Sequence, residues 1–143
     1  MLNTSISLEI SASAEYLFSL YRNYALWNKV FPLTIKEAKL LKEENGRLTI
    51  SVQHKKAGKV LNMLSVLSPH EIRLEEFKPM YDAVFINRFQ QINVGSLYTV
   101  IAEIRLKGFF KIVEPFIKGI VEKRIKKFVL EPMKDYAETH CRY

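Results

Sequence analysis

The sequence has one cysteine and no long apolar run. Cys141 is the only cysteine among the 143 residues, so no disulfide bond can form within the chain. A membrane-spanning helix needs about eighteen consecutive apolar residues, and the sequence contains no such run. Residues 1–5 have neither the charge nor the apolar segment that export signals carry. These absences predict a protein of a reducing compartment, the cytoplasm.

Residue patterns typical of metal centres, bound cofactors and common catalytic motifs are also absent. His54, His70 and His140 lack the spacing of metal ligands, and Cys141 beside His140 has no further partner in the sequence. There is no glycine-rich phosphate loop, no nucleophile elbow and no pair of catalytic carboxylates. The sequence therefore predicts neither a metal site nor a cofactor.

The charge of the chain is basic and unevenly placed. The 22 lysines and arginines against 15 acidic residues give a net charge of +7. Residues 105–143 contribute +5 of it, from 10 basic and 5 acidic side chains, and residues 1–104 contribute +2. Nucleic-acid binding favours basic side chains on one face with exposed aromatic rings beside them. The dense basic cluster, residues 123–127, has its aromatic neighbours on the apolar side of a helix, so we expect no nucleic-acid partner.

The length and the hydropathy pattern predict a single domain over residues 1–143 that begins with a strand and a helical stretch. Ile6, Leu8 and Ile10 alternate with polar residues, which indicates a short strand. Ser13 is a suitable N-cap for the helical stretch that follows. That stretch must end before Pro32, because the residue preceding a proline avoids the α conformation.

From residue 35 to residue 107 the apolar residues recur at every second position, which is the period of a β-strand. Turns that contain glycine, asparagine or proline separate the runs. Connections this short join antiparallel neighbours. The predicted strands cover residues 35–43, 46–55, 60–68, 71–77, 82–92 and 96–107.

The last segment, residues 109–139, has helical spacing and predicts one long C-terminal helix across the sheet. Pro115 and Pro132 are candidate kink positions in it. One face of this helix is polar and carries most of the basic excess. The other face is predicted to cover the sheet and consists of Phe109, Val113, Phe116, Ile117, Ile120 and Val121.

The turns on either side of the predicted strand over residues 60–68 determine which residues should pair. A two-residue turn at Ala57-Gly58 pairs Val52 with Met63. A turn at Pro69-His70 then pairs Met63 with Glu76. Because a slip by one residue turns every side chain to the opposite face, these registers also predict which side chains point inward.

The remaining turns predict the same inner face. A two-residue turn at residues 94–95 pairs Asn87 with Ala102, and a four-residue loop before it in the chain pairs Glu76 with Ala83. All four registers agree on an inner face that is apolar except for His54, Ser65, Glu76, Asn87 and Gln91.

An inner face of this kind, opposite one helix, predicts either a cavity or a solid core. Ser65, Ala83 and Ala102 are small and leave volume that the large neighbours do not obviously fill. A pocket between a curved sheet and a helix suits an apolar ligand. The same residues would serve a filled core, so both interpretations stay open.

Several segments resemble a known superfamily. They are Ala14-Glu15-Tyr16-Leu17-Phe18 after a strand, residues 24–32 (YALWNKVFP), and Thr99 to Ile104 running into Gly108 and Glu114-Pro115. In these segments, and in element order over residues 4–140, the chain resembles the START-like helix-grip superfamily, also called SRPBCC. Its members include polyketide cyclases and dehydratases, the birch-pollen allergen, lipid-transfer START domains and coenzyme Q-binding proteins.

The resemblance implies a fold and a type of site. The fold is α+β, with a curved antiparallel sheet of about seven strands, two short helices after the first strand, and a long C-terminal helix across the sheet. Members of the superfamily usually bind hydrophobic small molecules between the sheet and that helix. This is also where the strand registers place an apolar inner face.

The candidate functional residues lie on that inner face and on the facing helix. Glu76 and His54 are the candidate catalytic residues, although a solvated rim position would suit either one equally. Asn87 suits a ligand carbonyl, a buried water or a structural hydrogen bond. Arg124 would anchor a carboxylate or lie at the margin of the apolar stripe. The predicted ligand-binding residues are Trp27, Phe31, Val52, His54, Met63, Ser65, Leu74, Glu76, Phe85, Asn87, Phe89, Tyr98, Val100, Ala102, Val113, Phe116, Ile120 and Arg124.

Three functions are consistent with these features. The first, which the sequence favours, is binding or transport of a hydrophobic small molecule such as a lipid, a polyketide or an isoprenoid. The second is a cyclase or dehydratase activity in which Glu76 or His54 moves protons on a polyketide-like substrate. The third is contact with a membrane surface or an acidic protein through the basic C-terminal helix.

Overall fold

The computed structural model describes residues 1–140, so Cys141 lies outside the described residues. The chain forms, in order, β1 (Leu2–Ile10), α1 (Ala14–Arg22), a 3₁₀ turn (Tyr24–Leu26), α2 (Trp27–Val30), β2 (Ile35–Glu44), β3 (Arg47–His54), β4 (Gly58–Ser68), β5 (Glu71–Phe77), β6 (Tyr81–Gln91) and β7 (Ser96–Leu106). A 3₁₀ turn (Gly108–Val113), α3 (Glu114–Ile125), a π-helical segment (Lys126–Leu130) and α4 (Glu131–His140) complete it.

The seven strands form one antiparallel sheet in the order β1-β7-β6-β5-β4-β3-β2. Strands β2 to β7 are neighbours in chain order because tight turns connect them. Strand β1 pairs with β7 instead, so the helices α1 and α2 are inserted between the two edge strands in the sequence. The predicted fold class is confirmed: a curved antiparallel sheet, short helices after the first strand and a long C-terminal helical segment.

The first helices begin and end where the sequence predicts. The Oγ of Ser13 accepts a hydrogen bond from the backbone N–H of Tyr16 at 3.1 Å, which caps α1. The side chain of Asn23 accepts from the N–H of Ala25 and begins the 3₁₀ turn. Helix α2 ends at Val30, shortly before Pro32.

The C-terminal segment is interrupted, although the spacing predicts one regular helix over residues 109–139. Residues Gly108–Val113 form a 3₁₀ turn, and the π-helical segment separates α3 from α4. Pro132, in the first turn of α4, has no N–H to donate, and its ring displaces the carbonyl of the preceding turn. The wider π-helical turn directly before it accommodates that ring.

Two of the four predicted registers keep the predicted inner face. Glu76 pairs with Ala83 as predicted. The loop between β6 and β7 has four residues, 92–95, rather than two, so Asn87 pairs with Val100 and not with Ala102. That correction is a shift by two positions, and the same side chains of β6 and β7 remain on the inner face.

The registers of β4 differ from the prediction, and the difference turns the side chains of this strand to the opposite faces of the sheet. The loop after His54 has three residues, because Gly58, with a φ of +77°, already pairs with His54. Val52 therefore pairs with Val60 and not with Met63. Between β4 and β5, a bulge between Val66 and Ser68 shifts the register by one residue, so the side chains of β5 point to the predicted faces again.

Helices α1, α2 and α4 cover one part of the inner face and form a closed core with it. The ring of Phe89 stacks on Tyr98 with centroids 4.7 Å apart, and both side chains are fully buried. The indole N–H of Trp27 donates to the carbonyl of Tyr21 at 2.8 Å. Met133 from α4 is also fully buried in this core.

Candidate functional site

The part of the inner face that lies towards α3 is less covered than the closed core. Leu48, Leu74 and Phe85 point inward from β3, β5 and β6 and are only half-buried. Helix α3 packs on the sheet through Ile117 and Val121, which contact the second apolar cluster of the molecule. That cluster is formed by Leu2, Ala83, Ile104 and Leu106, with Tyr81 and Phe85 at its edge.

A second apolar stripe of α3 remains exposed. Phe116 is 79% exposed and Ile120 is 55% exposed, and Val113, in the 3₁₀ turn before the helix, is also exposed. The sequence predicts that these residues cover the sheet, and the structure corrects this. Helix α3 makes most of its sheet contacts with the edge strand β1, so only the narrow stripe through Ile117 and Val121 is packed.

The exposed stripe lies on the flank of α3 that is turned away from the β1 edge. On one side of the packed stripe, Lys118 and Glu122 join Asn3 and Ser5 in lining a cleft at the β1 edge. Phe116 and Ile120 lie on the other side of the packed stripe, next to Arg124. The guanidinium of Arg124 acts electrostatically on Tyr81, an inward residue of β6. We call the space between this stripe and the uncovered inner face the concave pocket.

A group of titratable side chains lies on the sheet side of the concave pocket. The Tyr81 hydroxyl donates to Oε2 of Glu76 at 3.4 Å, and Nζ of Lys78 is 3.5 Å from Oε1 of Glu76. Lys78 also lies over the Tyr81 ring, 5.5 Å from its centroid. Burial, together with the Glu76 carboxylate, raises the pKa of the Tyr81 phenol, while Arg124 opposes this. We call His54, Glu76, Lys78 and Tyr81 the polar cluster.

His54, at the end of β3, completes the polar cluster. Within residues 1–140, its Nε2 is buried and has no hydrogen-bond partner. Burial lowers the pKa of His54, and the Glu76 carboxylate offsets part of this effect. The imidazole is therefore neutral at neutral pH, with one ring nitrogen that donates and one that accepts.

The lowered pKa of His54 predicts a pH-dependent stability. The unfolded chain binds a proton at this residue near pH 6.5, whereas the folded chain does so only at lower pH. The free energy of unfolding should therefore fall as the pH drops through and below 6.5, and level off beneath the folded-state pKa. Urea titrations between neutral and mildly acidic pH measure this. The fall should be smaller in His54→Gln, with His70→Gln as the matched control; equal slopes in all three proteins would contradict the expectation.

Asn87 belongs to a hydrogen-bond network in the closed core. Its Oδ1 accepts from the Tyr98 hydroxyl at 2.5 Å, and the side chain is almost fully buried. The side chain of Asn87 also lowers the pKa of the Tyr21 phenol, against the larger effect of burial. Burial raises the pKa of both phenols. The structural hydrogen bond, one of the alternatives that the sequence leaves open for Asn87, is present.

Comparisons with known proteins identify the fold. No family model matches the sequence, and no curated protein matches it. Solved structures do match: a START superfamily protein from Mycobacterium smegmatis has a TM-score of 0.73 at 16% identity, over 97% of this chain and 99% of the other. The Zhui aromatase/cyclase from Streptomyces sp. R1128 has a TM-score of 0.75 at 15% identity, over 99% of this chain and 96% of the other. The chain has the START-like helix-grip fold.

A larger protein contains the same fold. The di-domain ARO/CYC protein StfQ from the steffimycin biosynthetic pathway has a TM-score of 0.77 at 9% identity. The match covers 96% of this chain and 50% of that protein, so this chain spans half of its length. At such identities the likeness concerns the helix-grip architecture, and the chemistry of the site must be argued from this chain's own residues.

Within the helix-grip fold, the predicted ligand-binding residues separate into three groups. One group lies in the closed core: Trp27, Phe31, Val52, Asn87, Phe89, Tyr98, Val100 and Ala102. The second group is partly or largely exposed: His54, Leu74, Glu76 and Phe85 on the sheet, Val113 in the 3₁₀ turn before α3, and Phe116, Ile120 and Arg124 on α3. The third group, Met63 and Ser65, lies on the outer face of the sheet, because the side chains of β4 point to the faces opposite to those predicted.

Three polar residues of this inner face were not predicted from the sequence. Lys78 and Tyr81 are the closing pair of the β5–β6 hairpin, since the backbone N–H of each bonds the carbonyl of the other. The prediction assigned them to a loop, although Tyr81 continues the alternation of Ala83 and Phe85. Asn62 is nearly fully buried and pairs with Glu76, although the predicted register of β4 assigned it to the outer face.

A second concavity lies away from the polar cluster. It is a cleft of about 590 Å³ between α1 and the β4–β5 turn, lined by Phe18, Arg22, Pro69, His70 and neighbouring residues. In the described part of the chain, no three histidine, cysteine, aspartate or glutamate side chains are grouped as metal ligands. Nor does any helix of residues 1–140 have the length and apolar content needed to cross a bilayer.

Proposed function

We propose that the protein binds an apolar small molecule in the concave pocket, with at least one hydrogen-bonding group of the ligand directed at the polar cluster. The exposed stripe of α3 supplies one apolar wall, through Phe116 and Ile120. Half-buried Leu74 and Phe85 supply the opposite wall. A ligand that covers both walls removes this apolar surface from water, which favours binding by about 25 cal/mol per Å² buried.

The observation that carries this proposal is the unpartnered Nε2 of His54. A buried polar atom without a partner is costly, and within residues 1–140 no side chain or backbone group satisfies this one. A ligand hydroxyl or carbonyl beside the neutral imidazole would provide the missing hydrogen bond. Neighbouring Glu76 already interacts with Tyr81 and Lys78, which leaves His54 as the member of the cluster that needs a partner.

The direct test is native mass spectrometry of the purified full chain. The expected result is a mass increment from a co-purified apolar molecule that is lost on extraction with organic solvent. The apo protein should then bind 1-anilinonaphthalene-8-sulfonate, an apolar fluorophore, with saturation at one equivalent. A clean apo mass together with no saturable fluorophore binding would overturn the proposal.

Charged substitutions in the apolar wall locate the site. Ile120→Asp or Phe116→Asp should weaken binding of the same fluorophore by at least about tenfold, since the ligand would have to desolvate a carboxylate. Val94→Asp is the matched control, because Val94 is 83% exposed in the loop at the opposite end of the sheet. Fluorescence titration gives the affinities. If Arg22→Glu weakens binding and the α3 substitutions do not, the fluorophore occupies the cleft beside α1 and the proposed site is wrong.

A second candidate function is proton-transfer catalysis on the bound molecule, as in a cyclase or dehydratase. It is favoured by the contact of Glu76 with the Tyr81 hydroxyl inside a partly apolar pocket. The variant Glu76→Gln separates the two functions, because a binding protein should keep most of its affinity for the co-purified molecule. An enzyme should convert a linear polyketone into a product lighter by one water, and Glu76→Gln should abolish that conversion.

A further inference from the structure

One end of the sheet, here called the open end, carries the β3–β4 loop, the β5–β6 turn, the start of β2 and the segment after β7. Strands β3, β5 and β7 end there and β4 and β6 begin there, as the antiparallel pairings require. The backbone N–H of Lys107 bonds the carbonyl of Met80 at 2.9 Å, which joins the β5–β6 turn to the segment after β7. The N–H of Lys55 bonds the carbonyl of Thr34, which joins the β3–β4 loop to the start of β2.

The open end exposes large apolar side chains. In the 3₁₀ turn after β7, Phe109 is 79% exposed and Ile112 is 68% exposed. The adjoining β5–β6 turn exposes Phe77 and Met80, and Leu33 is exposed before β2. Apolar residues scattered singly on a surface need no explanation, but a group of aromatic and aliphatic side chains from connected loops marks an interaction surface.

The charge at the open end is positive and unbalanced. Lys55, Lys56 and Lys111 are exposed, and no carboxylate of residues 1–140 lies within ion-pair distance of them. Two acidic side chains at this end are paired: Asp82 with Lys107 at 2.7 Å, and Glu114 with the N-terminal amine at 2.8 Å. A partner for this end is therefore expected to be anionic as well as apolar.

We propose that the open end docks on the surface of an anionic lipid bilayer. Phe109 and Ile112 enter the region between headgroups and acyl chains, and the lysines contact the anionic headgroups. A bilayer fits both observations at once, because it presents negative charge directly above an apolar layer. The polar cluster lies at the ends of the same strands, so docking places the concave pocket beside the bilayer. The proposal stands without the proposed function, since docking requires no ligand in the pocket.

The test is flotation of the full chain with lipid vesicles. Binding is expected to vesicles of equal parts phosphatidylcholine and phosphatidylserine and to be much weaker with phosphatidylcholine alone. It should decrease steeply as the salt concentration rises from about 0.05 to 0.5 M, because screening weakens the attraction of lysines to headgroups. Equal binding to both kinds of vesicle, or no binding to either, would overturn the proposal.

Two sets of variants separate the apolar contribution to bilayer binding from the electrostatic contribution. Phe109→Ser with Ile112→Ser should weaken binding by at least about tenfold, with Val94→Ser as the exposed apolar control at the opposite end. Lys56→Glu should weaken it by about twentyfold, with Arg22→Glu, which lies beside the β4–β5 turn, as the charge control. Equal losses in the controls would overturn the proposal. So would sedimentation showing a dimer in lipid-free solution that Phe109→Ser dissociates, because the surface would then belong to a second copy of the chain.

Discussion

Replacing Phe89 with alanine should lower the free energy of unfolding by about 3–5 kcal/mol. The side chain is fully buried, stacks on Tyr98 at 4.7 Å, and meets the edge of Phe18 at 6.3 Å. Tyr21 contacts the same ring at 6.1 Å. These partners come from α1 and from β7, two elements that are held in place independently, so the surroundings cannot collapse into the space that is left.

Urea denaturation of the wild-type protein and the Phe89→Ala variant measures this loss. Phe109→Ala is the matched control, because it removes the same atoms from a ring that is largely in water. The control should change the free energy of unfolding by less than about 0.5 kcal/mol. Similar losses in the two variants would contradict the description of a closed core around Phe89.

Replacing Gly95 with alanine should cost more than about 3 kcal/mol of stability. Gly95 has a φ of +84°, where an alanine is strained by about 1–2 kcal/mol. In addition, a Cβ at this position would collide with the backbone carbonyl oxygen of Ile10. A backbone oxygen at the end of a paired strand cannot move aside as a flexible side chain can, so β1 would have to separate from the loop.

Gly46→Ala isolates the collision from the backbone strain. Gly46 has a φ of +78°, and an added Cβ would meet no atom within 4 Å. The Gly46→Ala variant should lose only about 1–2 kcal/mol of its free energy of unfolding, measured in the same urea titration. If the two variants are equally destabilised, the close approach between Ile10 and Gly95 does not constrain the fold.

The accuracy of the strand predictions depended on the turns. Where the prediction misjudged a loop by an even number of residues, as between β6 and β7, the inward residues were still identified correctly. Where it misjudged one by an odd number, as at Gly58, Met63 and Ser65 were assigned to the wrong face. The bulge between Val66 and Ser68 then concealed the error, because the side chains of the next strand again point to the predicted faces.

The candidate site was predicted in part. His54 and Glu76 were identified as inward polar residues from the turn registers and the alternation, and their electrostatic interaction is consistent with a shared face of the sheet. Lys78 and Tyr81 were missed because their hairpin closes more tightly than a four-residue loop. Arg124 could be placed on the margin of an apolar stripe, but nothing in the sequence shows that this margin faces Tyr81.

The amino-acid sequence by itself determined the element order, the antiparallel neighbours and most of the inward side chains, because turn chemistry and period-two alternation are local properties. It also located the basic excess near the C-terminus. Only the tertiary structure decided that α3 packs at the edge of the sheet and leaves Phe116 and Ile120 uncovered. An apolar helical stripe has the same pattern whether or not anything covers it, and covering depends on where distant strands hold the helix.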